Sequence, residues 1–146
     1  MKQIAELIEG QTLTILDSQD NVRAAAKRMA DRNIGACAVV DAGALSGIFS
    51  ERDIMSRVVA AGLDPDGTTV GSVMTRELVV IEPRADIDTA LETMQTIGCR
   101  HLPVVEDGQL VGMLSIRDLL EVDDANQRRK ATFLNELVTY SPDYES

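Results

Sequence analysis

The stretch LSGIFSERDI, Leu45–Ile54, recurs 65 residues later as LVGMLSIRDL, Leu110–Leu119. Each copy runs apolar through a glycine, closes on a Ser-x-Arg-Asp tetrad and then resumes with apolar residues. The same offset pairs Leu13 with Leu78, Ala25 with Ala90, Met29 with Met94, and Val39-Val40 with Val104-Val105. It also pairs Gly43 with Gly108 and Gly47 with Gly112, and a shift of one residue aligns the upstream pieces IAELI (from Ile4) and VGSVM (from Val70). The chain is an internal duplication, and each copy must be read as one supersecondary unit.

Leu13–Leu16 and Leu78–Ile81 are short runs with β-branched residues and predict buried strands. Polar residues follow, Asp17-Ser18 and Glu82-Pro83, which can start a helix. Val22, Ala25, Ala26 and Met29, and in the second copy Ile87, Ala90, Leu91 and Met94, recur at three- and four-residue spacing and mark one buried helix face. Next come a strand (Ala36–Val40; His101–Val105), a turn at Gly43 or Gly108, and a return strand (Leu45–Phe49; Leu110–Leu114), which together read as a hairpin. After each tetrad a second helix begins, with Ile54, Met55, Val58 and Val59 apolar in one copy and Leu119, Leu120 and Val122 in the other.

The fold class expected is therefore α/β (α+β), two β-α-β-β-α repeats. Units this small bury too little alone, so the two should pack together with pseudo-two-fold symmetry. The expected boundaries are residues 1–62 for the first repeat, 63–69 (LDPDGTT) for a linker, and 70–125 for the second repeat. Residues 126–146 should form a C-terminal helix and polar tail, packed on the module or on a partner.

Composition narrows the function. The chain has 146 residues, 45% of them hydrophobic but only 3% aromatic, and a net charge of -10. Scarce aromatics and an acidic balance argue against nucleic acid, whose recognition draws on stacking side chains and a basic surface. No run approaches the roughly 20 apolar residues that span a bilayer, and the N-terminus lacks the apolar core of a signal peptide, so a cytoplasmic location is expected. Cys37 and Cys99 lack CxxC spacing and read as core cysteines. His101 is the only histidine, so neither a multi-histidine metal site nor a catalytic triad is expected.

The tetrad admits two readings. Ser-x-x-Asp before an apolar run is a capping box, in which the Ser oxygen takes an orphan amide and the acid reaches back to the Ser amide. That reading leaves unexplained the Arg before each Asp and the Gly-x-x before each tetrad, a glycine that permits close approach of another group. A helix start also favours an anion. Capping and ligand binding can coexist.

GIFSERDI and GMLSIRDL, with RHLPVVEDG ahead of the second and VMT (Val73–Thr75) at its entry, resemble tandem cystathionine β-synthase (CBS) domains, the pair called a Bateman module. The resemblance covers roughly residues 4–120 and is similar in wording to stand-alone bacterial two-repeat proteins. It implies a regulatory module without catalysis or a required cofactor. Its clefts between repeats would bind AMP, ADP or ATP as an energy-state signal, or in some members NAD(H) or S-adenosylmethionine. By the same resemblance Asp53 and Asp118 would accept hydrogen bonds from ribose hydroxyls, with Ser50 and Ser115 beside ribose or phosphate. Leu13, Ile34 and Gly35 would face Asp118, and Leu78, Cys99 and Arg100 would lie near Asp53. A homodimer through the second helices and an unidentified regulated protein are the implied partners, with neither nucleic acid nor membrane among them.

The copies diverge on the phosphate side. Repeat two has Arg100 and His101, at positions that face phosphates in some family members, where repeat one has Gly35 and Ala36; repeat one also has Ala38 where the family's usual proline is kept as Pro103. The sites should be unequal, with Asp118 favoured. Arg52 and Arg117 could reach phosphate or form a salt bridge or dimer contact, and His101 could read phosphate or sit at a strand edge. The rival of another class is a structural or interaction protein whose tetrads are only caps and whose clefts stay empty.

Overall fold

Two hairpins anchor the architecture in the computed structural model, which describes residues 3–122. Strands β2 (Ala36–Asp41) and β3 (Ala44–Ser50) pair antiparallel, as do β4 (His101–Glu106) and β5 (Gln109–Ser115). Both turns have two central residues, Ala42 and Gly43 or Asp107 and Gly108, all at positive φ. That is the two-residue turn whose twist matches flanking strands, and it favours Asp-Gly over the Ala-Gly of the first copy.

The strand expected over Leu13–Leu16 forms as β1 (Ile15–Leu16), parallel to β2 at Ala38 and Val39. Its counterpart shrinks to one residue. Ile81 bridges β4, donating to the Pro103 carbonyl at 3.0 Å and accepting from the Val105 amide at 2.9 Å. Among the described residues Leu78–Val80 carry no ladder bonds of this kind, so the second expected strand is corrected to a single bridge.

Helices α2 (Val22–Arg32) and α5 (Ile87–Ile97) bury Val22, Ala25 and Met29, and Ile87, Ala90, Leu91 and Met94, the faces their periodicity predicts. Ala26 is only partly buried. Neither helix starts where the first polar pair suggested. The caps are Asn21 and Asp86, which accept from the Ala24 and Thr89 amides. A turn comes first: in the first copy Asp20 accepts from the Asp17 amide and Asp17 from the Gln19 amide. Asx residues compete with helix by satisfying nearby amides, which delays the helix by a few residues. The C-termini close at Asn33 and Gly98, both left-handed, as helix ends commonly do.

After the first tetrad, α3 begins with Glu51–Asp53 and continues in π-helical form over Ile54–Val59. Val58 is buried, whereas Met55 and Val59 are 44% and 69% exposed. The apolar residues with which this helix begins are therefore divided between core and surface. In the second copy α6 (Ile116–Val122) buries Ile116 and Leu119.

The described chain forms two compact units: Thr12–Val79 with Asp107–Leu110, and residues 3–11, 80–106 and 111–122. Their cores divide by repeat, except for two entry helices. Val70 and Val73 of α4 (Val70–Val73), with Met74, join the core of Leu16, Val22, Met29 and Phe49. Ile4 of α1 (Ile4–Ile8) joins that of Ile81, Leu91, Met94 and Leu114. The helix that opens each repeat thus completes the core of the other. The anchoring is repeated in detail: Val70 and Gly71 donate to the Asp20 and Ser18 carbonyls, and Ile4 and Ala5 to the Ala85 and Pro83 carbonyls, all at 2.8–2.9 Å. The expected linker is ordered against α2, with the Val22 and Arg23 amides bonded to Thr68 and Pro65. The expected tail helix beyond Asn126 lies outside the described residues. Among the described residues no helix is long and apolar enough to cross a membrane.

Candidate functional site

Both tetrads fold as capping boxes. Ser50 ends β3 in extended conformation; its Oγ accepts from the Asp53 amide at 3.2 Å, and Asp53 Oδ2 accepts from the Ser50 amide at 2.9 Å. Ser115 and Asp118 make the same pair, each bond at 3.1 Å. One oxygen of each aspartate is therefore fixed by its own helix start. The chemistry of the site depends on the other oxygen.

At Asp53 that oxygen is already engaged. Thr75 Oγ1 donates to Asp53 Oδ1 at 3.2 Å, and the Arg57 guanidinium lies 3.7 Å from the same atom. The Arg57 side chain also donates to the Val73 and Met74 carbonyls at 3.2 and 3.0 Å, where α4 ends. Asp53 is 4% exposed, the only buried charged side chain among the described residues. Asp118 differs in each respect. It is exposed, and among the described residues its Oδ1 accepts no hydrogen bond. The residue at the Arg57 position is Val122.

The glycines that precede the tetrads do allow a close approach, but the chain itself makes it. A Cβ on Gly47 would stand 2.7 Å from the Thr75 carbonyl oxygen and 2.8 Å from Met74 Sδ, and one on Gly112 would stand 2.7 Å from Ile8. Thr75 runs along the β3 edge, exchanging two backbone bonds with Ile48 at 2.8 and 3.0 Å. On the β5 edge the matching residue, Met113, is met instead by the side-chain amide of Gln11, which donates at 2.8 Å and accepts at 2.9 Å. No threonine hydroxyl is thereby delivered to Asp118.

The phosphate-side residues join their own tetrads. The Glu51 amide donates to the Gly35 carbonyl at 2.9 Å, and the Ile116 amide to the Arg100 carbonyl at 2.8 Å. Beside Gly35 the space a side chain would enter is taken by the Glu51 carboxylate, 3.2 Å from a Cβ there. The second copy reverses the electrostatics, with Arg100 in place of Gly35 and Ile116 in place of Glu51. Desolvation, reinforced by Arg100 and opposed by Asp118, pushes the His101 imidazole down to about 4. It is thus neutral at pH 7, and cationic character rests on Arg100.

Of the other expected residues, Ile34 packs against the first core and Cys99 against the second. Leu13 and Leu78 are partly buried, and Arg52 and Arg117 are exposed. Burial pushes the Cys37 and Cys99 thiols up. Ile34 and Gly35 thus share a unit with Asp53, and Cys99, Arg100 and His101 share one with Asp118. Three residues that shape the first tetrad, Glu51, Arg57 and Thr75, were not among the expected set. Thr75 stood in the VMT entry motif, and Glu51 and Arg57 were legible only as departures from Ile116 and Val122. Among the described residues no group of three or more His, Cys, Asp or Glu side chains could hold a metal ion.

Two stretches, residues 10–60 and 70–124, match the CBS domain. The chain belongs to the CBS-domain family. It is 32% identical over 135 residues to CBS domain-containing protein YhcV of Bacillus subtilis (strain 168), covering 92% of this chain and 95% of that one. It is 34% identical over 123 residues to the mitochondrial CBS domain-containing protein CBSX3 of Arabidopsis thaliana, where 81% of this chain spans 60% of the relative. In CBSCBSPB3 of the same plant it spans only 17%, so CBS-domain pairs of this kind also occur within longer proteins. Among solved structures, a protein with CBS domains from Burkholderia ambifaria MC40-6 is 33% identical with a TM-score of 0.80, covering 86% of this chain and 96% of that one. CBS-domain pairs are regulatory modules, and stand-alone bacterial examples are among the relatives of this chain.

Proposed function

We propose that this CBS-domain pair is a non-enzymatic sensor whose second tetrad binds an adenine nucleotide, AMP, ADP or ATP. Asp118 accepts hydrogen bonds from the ribose 2′- and 3′-hydroxyls, and Arg100 complements the phosphates. The observation that carries the reading is the state of Asp118: exposed, with Oδ2 held by the Ser115 amide and Oδ1 without a partner among the described residues. A carboxylate oriented by one bond and unbonded at the other oxygen is preorganised to accept from neighbouring hydroxyls. No cofactor is required; the nucleotide is a regulatory ligand. It acts on a homodimer or a regulated protein only to the extent that the partner prefers one liganded state.

The test is a thermal-shift and calorimetric screen of the purified protein with AMP, ADP, ATP, NADH and S-adenosylmethionine. Adenine nucleotides should raise the melting temperature, since a ligand at about 100 times its Kd adds roughly 2.7 kcal/mol. A shift with NADH or S-adenosylmethionine alone would reassign the ligand. No shift with any of them would leave the second reading, an interaction protein whose tetrads serve as helix caps, which the two closed capping boxes favour.

A further inference from the structure

The two aspartates differ in what already sits on them, and the difference has a chemical form. The group bonded to Asp53 Oδ1 is the Thr75 hydroxyl, an aliphatic alcohol donating to a carboxylate, which is the interaction a ribose hydroxyl would make. Thr75 is held there by its backbone exchange with Ile48. The segment carrying it is held further by Arg57, which grips the Val73 and Met74 carbonyls and approaches the same carboxylate oxygen. Asp53 is left 4% exposed. A second obstacle is electrostatic: the Glu51 carboxylate fills the space at Gly35 and would repel a phosphate.

The repeat supplies an internal control. At the second tetrad the edge of β5 is satisfied by Gln11 through its side chain, the Arg57 position is Val122, the Gly35 position is Arg100 and the Glu51 position is Ile116. Every feature that closes the first tetrad is replaced at the second.

We infer that Thr75 is an internal substitute for a ribose hydroxyl, which keeps the Asp53 tetrad closed and confines nucleotide binding to the Asp118 tetrad. Thr75 is a positioning residue: it acts by occupying Asp53 Oδ1, and a ligand diol can engage that atom only by displacing it. The inference rests on the ribose-binding reading above and deepens it into a stoichiometry, one nucleotide per chain.

Isothermal titration of the full chain with AMP tests both, each variant being checked by circular dichroism and melting temperature. The wild type should bind one AMP per chain, and Asp118→Ala none. Thr75→Val keeps the shape and the backbone bonds but removes the hydroxyl, and should admit a second, weaker AMP. Thr75→Ser restores the donor and should return the stoichiometry to one, an outcome that a purely structural role for the side chain would not produce. Combined with Asp118→Ala, Thr75→Val should bind one AMP, at Asp53. Two AMP per wild-type chain, or a folded Thr75→Val that still binds one, overturns the closure and leaves the Asp118 reading standing. Absence of AMP binding in every protein overturns the ribose reading and the closure with it.

Discussion

Removing the carboxylate from the two tetrads should have opposite consequences. Asp118 is exposed, and its only bonds among the described residues are the reciprocal pair with Ser115. Asp118→Ala deletes one exposed cap bond, worth about 0.5–1 kcal/mol. At roughly 3–4 °C per kcal/mol for a chain of this size, the melting temperature should fall by no more than about 4 °C. On the ligand side, two charge-assisted bonds at about 1.5–3 kcal/mol each amount to a roughly 10²–10⁴-fold loss in AMP affinity. Asp53 is 4% exposed and joined to the Ser50 amide, Thr75 and Arg57. Its replacement by Ala leaves a half-filled pocket and unpaired donors, which should destabilise the protein by about 2–4 kcal/mol, or roughly 6–15 °C. AMP affinity at 25 °C should change little while the protein stays folded. Scanning fluorimetry and isothermal titration on the same preparations read both quantities. The reasoning is refuted if Asp118→Ala melts as early as Asp53→Ala while retaining wild-type affinity for AMP, because Asp118 would then be a cap and nothing more.

Three further outcomes are expected. His101 carries a proton in the unfolded chain below about 6.5 but in the folded protein only below about 4, so stability is full above pH 6.5 and declines as pH falls through that window, by at most about 3 kcal/mol; urea unfolding at pH 7 and pH 5 should show the slope, and His101→Gln should flatten it. Ala42 occupies the first central position of the β2–β3 turn at φ 51°, where Asn is better tolerated; Ala42→Asn should raise the melting temperature by a few degrees, and a decrease would contradict the turn geometry. Gly47→Ala would set a methyl 2.7 Å from the Thr75 carbonyl oxygen, a backbone atom that cannot swing aside, so a loss of about 2 kcal/mol or more is expected in chemical denaturation, and an unchanged midpoint would show that the β3 edge is not so closely covered.

The repeat made most of the fold legible. Once Leu45–Ile54 and Leu110–Leu119 are superposed, each ambiguous apolar run is judged twice, and the helical faces around Met29 and Met94 and both glycine hairpins follow from periodicity and turn chemistry. Three features resisted that treatment. The π-helical run of Ile54–Val59 has no pattern of its own, because it adds one residue per turn without changing which residues are apolar. The strand at Leu78–Ile81 reads as well as that at Leu13–Leu16, yet only Ile81 is bridged; an apolar run states a capacity for burial and not a partner. The exchange of α1 and α4 between the cores was likewise out of reach, since periodicity identifies a buried face without saying which core receives it.

The candidate site shows the same limit in sharper form. Treating Ser50–Asp53 and Ser115–Asp118 as equivalent follows from their wording, and as helix caps they are equivalent to within about 0.2 Å in every bond. The difference between them lies in the second oxygen of each carboxylate, and that is decided by residues outside the tetrad. The β3 edge is covered by backbone, which brings Thr75 and its hydroxyl to Asp53; the β5 edge is covered by the Gln11 side chain, which leaves Asp118 without such a donor among the described residues. A duplicated motif therefore fixes the shared local geometry, whereas the strand-edge partner, differing between copies in chemical type, determines whether a hydroxyl of the chain itself reaches the second carboxylate oxygen. The substitutions Gly35 for Arg100 and Glu51 for Ile116 act in the same direction. With Arg57 for Val122, four differences agree in sign, which is why a single exchange at Thr75 is predicted to admit only a second, weaker nucleotide, and not to make the two sites equal.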